Sequence, residues 1–388
     1  MEKKQKIVRT IAYYLSYITI GFVTGIIGPT LPGLSLNAGT TLEGISYIFP
    51  VLAVGYLIGS YAGGWMYDRF KVHPVVAAGL LILGVMMLLI PLAQTLWIIL
   101  ALFLVTGFAA GSVDVGGNTL LVWTHGASVG PFMVGLHFFF GFGAFIAPMI
   151  VGLIMRGSSD ISWAYWTLTL LSLPIMLFIF LIPSTKAPTP PKAQAEGQSS
   201  LLLVFLITAF MFMHVGAELS YGGWIYSYAI KLGLTTETNA AYLTSAYWGA
   251  VMVGRLISVA VSMKVKPKMM LFVYLSGCAL SALFLILFST SITAVWICTI
   301  TFGLSMSTLV PTTFTLTGDY LHISGKLAGW LVIGIGAGNL VVPWVVGQLF
   351  EPFGAISLPI VNLITLICAL GILTLIVLLI KKMKLEKV

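Results

Sequence analysis

Charge is the scarcest component of this sequence. Of its 388 residues only 8% are Asp, Glu, Lys or Arg, while 59% are hydrophobic and the mean hydropathy is +1.07. A soluble protein of this length needs far more charge to cover its surface. The composition therefore excludes a soluble globular protein and predicts a polytopic membrane protein.

Cysteine is also rare. The three residues, Cys278, Cys298 and Cys368, all fall within apolar segments. That placement argues against a disulfide framework or a metal site and favours small packing residues. We expect no cleavable signal, because the apolar run after the basic Met1–Arg9 segment is long and has no small-residue cleavage site.

Sequence motifs for chemistry are missing as well. The chain has no Gly-x4-Gly-Lys-Ser/Thr nucleotide-binding motif, which argues against an ATP-driven pump. It also has no recognisable arrangement of nucleophile, base and acid. These absences predict a protein that is not an enzyme and that needs no cofactor.

Long apolar runs are abundant. Crossing a membrane takes about 20 apolar residues in a helix. Twelve segments of the sequence meet that requirement: 11–31, 44–66, 75–92, 97–123, 131–155, 163–182, 201–229, 240–263, 269–289, 293–316, 327–350 and 358–380. We therefore predict an all-α membrane protein with twelve transmembrane helices and with both termini on the same side.

The few cations indicate which side that is. With the termini inside, sixteen Lys and Arg residues fall in cytoplasmic segments, against only Arg156 and Lys231 in outer loops. This bias predicts cytoplasmic termini, most simply in a bacterial plasma membrane. The Lys and Arg residues behind the net charge of +8 then face anionic membrane lipid, and the charge does not indicate a nucleic-acid partner.

The chain divides into two similar halves. A polar, proline-rich stretch at 183–200 separates six spans at 1–182 from six at 201–388, and its composition predicts a flexible cytoplasmic linker. The pattern Gly-x-Gly-x4-Pro-x3-Gly starts at Gly141 and again at Gly336, an offset of 195 residues. Parallel six-span repeats of this kind predict two pseudo-symmetric six-helix bundles.

The loop between the second and third spans suggests a family. The stretch "GGWMYDRFKVHP" resembles the major facilitator signature Gly-x3-Asp-Arg/Lys-x-Gly-Arg-Arg, with Gly64, Asp68 and Arg69 in place and a departure from Lys71 onwards. The resemblance implies the major facilitator fold and a gating role for Asp68 and Arg69.

A closer resemblance rests on three further stretches, "DVGGNTLLVW", "GLHFFFGFGAFIAP" and "ELSYGGWIYSYA". They are similar to the sodium-dependent glucose transporter branch, which is itself similar to fucose permease-like sugar symporters. This second resemblance implies transport of a sugar.

Only three charged residues fall within the spans: Asp114, Glu218 and Arg255. A charge inside a bilayer is costly and usually faces a cavity or the bundle interior. At the offset of 195 residues none of the three has a charged counterpart, so they are interpreted as functional additions to a symmetric scaffold.

A coupling cation is the predicted use of these carboxylates. Burial favours a neutral carboxyl, so Asp114 can bind and release H⁺, or with Asn118 it can supply oxygen ligands to Na⁺. Glu218 is the rival coupling residue and a candidate sugar acceptor. Arg255 is predicted mainly as a gating or ion-pair partner of Glu218 or Asp114.

Uncharged side chains complete the predicted substrate site. Sugars are bound by aromatic faces together with polar groups that reach their hydroxyls. The candidates are Asn118, His137, Tyr221, Trp224, Trp248 and Asn339. Packing is the competing explanation for His137, and an interfacial aromatic belt is the better explanation for Tyr226 and Tyr228.

These patterns predict a secondary active transporter. The leading hypothesis is H⁺- or Na⁺-coupled symport of a monosaccharide or similar small polar solute by alternating access. The alternative is a proton-coupled exporter or flippase of amphipathic drugs or lipids. A sensor without transport activity is disfavoured by the short loops, and we expect a monomer.

Overall fold

The computed structural model describes residues 2–158, 160–184, 201–318 and 325–385. Within them the ordered elements are helices, and no strand occurs. They are α1 (Glu2–Asn37), α2 (Leu42–Ile45), α3 (Ile48–Arg69), α4 (Val72–Leu89), α5 (Leu96–His125), α6 (Gly130–Ile154), α7 (Ser162–Leu181), α8 (Leu201–Lys231), α9 (Glu237–Ser262), α10 (Pro267–Leu287), α11 (Ile292–Met306), α12 (Leu309–Gly318), α13 (Gly325–Phe353) and α14 (Ser357–Leu385).

The twelve predicted spans are confirmed in the described part of the chain, which holds twelve stretches long and apolar enough to cross a membrane. Two differ from the prediction. The first helix is much longer than 11–31, because it begins at Glu2 and runs on through Pro29 and Pro32 to Asn37. The tenth span is two helices, α11 and α12, separated by Ser307 and Thr308.

The chain forms two compact units. One comprises Met1–Pro190 with Thr235–Gly249, and the other comprises Pro191–Leu234 with Ala250–Val388. The first half of α9 therefore belongs with the first unit, although it follows the predicted linker in sequence. Of that linker, residues 185–200 lie outside the described residues.

The repeated glycines explain how helices pack inside each unit. In the first unit a side chain on Gly21 of α1 would overlap the backbone of Phe140 and Gly143 in α6. In the second, a side chain on the equivalent Gly216 of α8 would overlap Val342 and the Gly338 carbonyl in α13. Glycine is thus present at both positions because two helix backbones meet there.

Candidate functional site

Asp114 lies at the centre of a hydrogen-bonded cluster in the first unit. The hydroxyl of Tyr56 on α3 donates to its carboxylate Oδ2 at 2.6 Å. The hydroxyl of Tyr17 on α1 donates to its backbone carbonyl at 2.9 Å. The amide of Asn118, one turn further along α5, donates to the Tyr17 hydroxyl at 2.5 Å and to the Asp114 carbonyl at 3.0 Å. Three helices therefore meet at Asp114.

Glycines bring these side chains within reach. A side chain on Gly111 would overlap the Tyr56 backbone, so α3 and α5 approach closely where Tyr56 meets Asp114. A side chain on Gly117 would overlap the Tyr17 ring. These contacts indicate that the glycines on this face of α5 serve close helix packing.

No ion pair among the described residues involves Asp114. Its hydrogen-bond partners are neutral: the Tyr56 phenol donates to the carboxylate, while the Tyr17 phenol and the Asn118 amide donate to the backbone carbonyl of the same residue. Neutral donors stabilise an ionised carboxylate by hydrogen bonding but leave its charge uncompensated. This carboxylate is thus able to take up a cation.

Beside this cluster lie three aromatic side chains. The exposed ring of His137 on α6 stands edge-on to Tyr17, with ring centroids 6.1 Å apart. One turn along α6, Phe140 stands edge-on to Trp248 of α9 at 6.2 Å. Trp248 is 2% exposed, and its indole N–H has no hydrogen-bond partner among the described residues. An aromatic surface with an unused donor is a suitable surface for a polar ligand.

In the second unit the structure brings Glu218 and Arg255 together. A guanidinium nitrogen of Arg255 lies 3.4 Å from Oε1 of Glu218, and the two side chains are 17% and 12% exposed. The Glu218 charge is therefore compensated within its own unit. This contact distinguishes Glu218 from Asp114, which sequence reasoning had treated as rivals for one role.

Arg255 has a second contact, at the break between α11 and α12. Its Nε donates to the Ser307 carbonyl at 3.4 Å. In a continuous helix that carbonyl would accept from the amide of residue 311, but Pro311 has no N–H. Arg255 thus satisfies a carbonyl that proline leaves open, and Pro311 sits in the first turn of α12, where it is tolerated.

Tyr221 and Trp224 point into the protein. The Tyr221 hydroxyl lies 3.0 Å from that of Thr299, and its ring stacks on Phe302 at 4.1 Å. The Trp224 indole donates to the Pro343 carbonyl at 2.8 Å. Both side chains are fully buried, so this conformation favours packing roles for them.

Tyr226 and Tyr228 are also buried, which corrects the expectation of an interfacial belt. Asn339 is half-buried, and its Oδ1 has no partner in the described residues, so it stays a candidate.

The predicted gating loop is exposed where the signature residues lie. The Asp68 side chain is exposed, and the Arg69 guanidinium lies 4.2 Å from the centre of the Trp65 ring. His73, which stands where the signature has arginine, is buried and bridges the Tyr13 hydroxyl and the Ile182 carbonyl at 2.9 Å each. The loop is therefore tied to α1 and to the end of α7 through histidine.

Sequence reasoning missed Tyr17, Tyr56 and Pro311. The two tyrosines lie in long apolar spans where their hydroxyls had no obvious partner, because each contact joins helices far apart in sequence. Pro311 carried a readable signal, since a proline inside a predicted span interrupts one backbone hydrogen bond.

Comparisons with known proteins agree with this architecture. The family model described as Major Facilitator Superfamily matches residues 13–343. The chain is 29% identical over 354 residues to sodium-dependent glucose transporter 1 of Xenopus laevis, covering 84% of this chain and 72% of that protein.

Two solved structures share the fold. A mutant of the nucleoside transporter NupG aligns with a TM-score of 0.74 and 13% identity over 96% of this chain and 99% of that one. A D-xylose-proton symporter aligns with a TM-score of 0.74 and 13% identity over 94% and 97%.

The chain belongs to the major facilitator superfamily. It is an integral multi-pass membrane protein and a transporter of a small-molecule solute, as its relatives are transporters and not enzymes. The resemblance to the sodium-dependent glucose transporter branch, drawn from three short stretches, is confirmed over most of the chain.

Proposed function

We propose that this protein is a symporter that couples uptake of a monosaccharide, or a similar small polar solute, to a gradient of H⁺ or Na⁺. One observation carries the proposal: the Asp114 carboxylate accepts a hydrogen bond from the neutral Tyr56 hydroxyl and has no cationic partner in the described residues. A cation bound there compensates its charge, which makes reorientation of the loaded carrier less costly than that of the empty one.

Glu218 has a different part in this proposal. Because Arg255 already compensates its charge, Glu218 contributes little to cation binding. We propose that the Glu218–Arg255 pair holds α9 against α8 and against the broken tenth span. Asp114 alone is then the coupling residue.

The solute is proposed to bind beside the Asp114 cluster. Asn118, exposed His137 and the indole N–H of Trp248 supply polar contacts, and Phe140 supplies an apolar face. The names of the relatives, a sodium-dependent glucose transporter and a D-xylose-proton symporter, support a sugar without deciding the cation. The distribution of Lys and Arg supports cytoplasmic termini, and we propose a monomer in a bacterial plasma membrane.

Uptake into proteoliposomes tests this function. Labelled hexoses, pentoses, a nucleoside and an amphipathic dye are each offered under an inward Na⁺ gradient and under an inward H⁺ gradient. We expect one of the sugars to accumulate under one gradient and not under the other. Accumulation of the dye with no sugar flux would contradict the proposal and favour the exporter.

A further inference from the structure

A groove of about 510 Å³ opens between α3, α4 and α5, away from the site described above. Its walls are almost entirely apolar and include Met66, Phe70, Ala78, Ile82, Phe108 and Ala109. From Pro74 to Ile82 the α4 wall rises by about 12 Å. The Ser112 hydroxyl is one of the few polar groups in the lining, so a polar solute would find few hydrogen bonds there.

One end of the groove carries positive charge. Lys71 lines the groove where α4 begins, and its side chain is exposed. Arg69, two residues earlier in the chain, lies over the exposed Trp65 ring, and Asp68 supplies one opposing charge. Tryptophan with Lys and Arg is the combination found at the level of lipid headgroups.

The second unit lacks the small residues that open this groove. At the offset of 195 residues, Tyr274 replaces Gly79 and Leu304 replaces Ala109, so larger side chains stand at both positions. The cations are retained, since Lys264 and Lys266 are equivalent to Arg69 and Lys71. The repeated scaffold therefore does not require the groove.

We propose that this groove binds an anionic glycerophospholipid. One acyl chain lies along Ala78, Ile82 and Phe108, and the headgroup phosphate is held by Lys71 with Arg69. Charge complementarity at one end and apolar walls along the rest match a lipid of this class, because basic pockets between membrane helices bind anionic headgroups. A bound chain would pack on the face of α5 opposite to Asp114.

Lipid retention measured by native mass spectrometry tests the headgroup contact. The full chain in detergent is titrated with phosphatidylglycerol or with phosphatidylcholine of the same acyl chains. Lys71→Gln should weaken phosphatidylglycerol retention about fivefold, the effect of one cation near a headgroup, while Lys266→Gln should not change it. Equal losses in the two variants would overturn the proposal, because the attraction would then be non-specific.

A second pair of variants tests the acyl chain. Ala78→Trp fills the groove and should reduce retention of both lipids, whereas Val273→Trp, at the equivalent exposed position of α10, should not. Thermal unfolding checks that the variants fold, and Ala78→Leu replaces the tryptophan variant if it does not. If the Ala78→Trp variant retains the lipids as the parent does, no lipid lies in the groove. The proposal is also contradicted if glycerol 3-phosphate, which has no acyl chain, is retained as well as phosphatidylglycerol.

Discussion

At the scale of single residues, the two carboxylates within the spans differ in the partners that surround them. Asp114 accepts hydrogen bonds from neutral groups, while Glu218 lies against a guanidinium. Both are acidic residues in apolar spans, and the sequence alone treats them alike. Their partners, on helices distant in sequence, decide which charge remains available.

The Tyr56 hydroxyl tests that contrast directly. Tyr56→Phe removes the donor 2.6 Å from the Asp114 carboxylate and keeps the ring. A hydrogen bond to a charged group contributes roughly 1.5 kcal/mol, so the empty, ionised carboxylate should lose about that stabilisation. We expect the coupling cation to bind about tenfold more tightly, seen as a lower half-saturating cation concentration for uptake.

Tyr67→Phe is the matched control. Its hydroxyl, on the same helix, donates to the Ser112 carbonyl at 2.5 Å and not to a carboxylate. Cation dependence should be unchanged in this variant. If Tyr56→Phe also leaves the cation dependence unchanged, Asp114 is not where the cation binds.

At the scale of elements, the break between α11 and α12 distinguishes the tenth span from the equivalent α5, which is continuous. At the break Pro311 lacks the N–H that would bond the Ser307 carbonyl, and Arg255 donates to that carbonyl instead. Broken helices in transporters are found where the backbone lines a cavity, which makes the break a candidate moving part.

Pro311→Ala tests whether the break matters for transport. Alanine restores the N–H and so makes a continuous helix accessible, in which proline at this interior position would cost about 3 kcal/mol. We expect a straighter span, a higher unfolding temperature in detergent and a several-fold slower exchange of solute across the membrane. Fluorescence-monitored unfolding and counterflow measure the two effects.

Pro174→Ala in α7, a proline inside a helix without a break, is the control. It should leave the exchange rate unaltered. An equal slowing in both variants would remove any special role for the tenth span.

Much of the fold could be predicted at this scale. Twelve apolar runs, the charge bias and the repeated glycines were enough, because each depends on local composition or on a fixed spacing. The side-chain orientations in α8 could not be predicted. This helix is buried on most of its circumference, so no polar face shows which way Tyr221 and Trp224 point.

At the scale of the whole molecule, the two units share a scaffold and differ in their polar groups. Gly21 and Gly216 make the same kind of helix contact in their respective units. The uncompensated Asp114 lies in the first unit, and the compensated Glu218–Arg255 pair lies in the second. We therefore infer that cation binding belongs to the first unit. The Glu218–Arg255 pair of the second unit, whose charges compensate each other, does not take part in it.

Gradient-driven accumulation compared with exchange, in proteoliposomes, tests this central claim most directly. Asp114→Asn keeps the shape of the side chain and removes its charge, so it should abolish accumulation under a cation gradient while solute exchange at equilibrium continues. The Glu218→Gln/Arg255→Gln double variant should accumulate solute. Accumulation that persists in Asp114→Asn, or that is lost only in the double variant, would contradict the account.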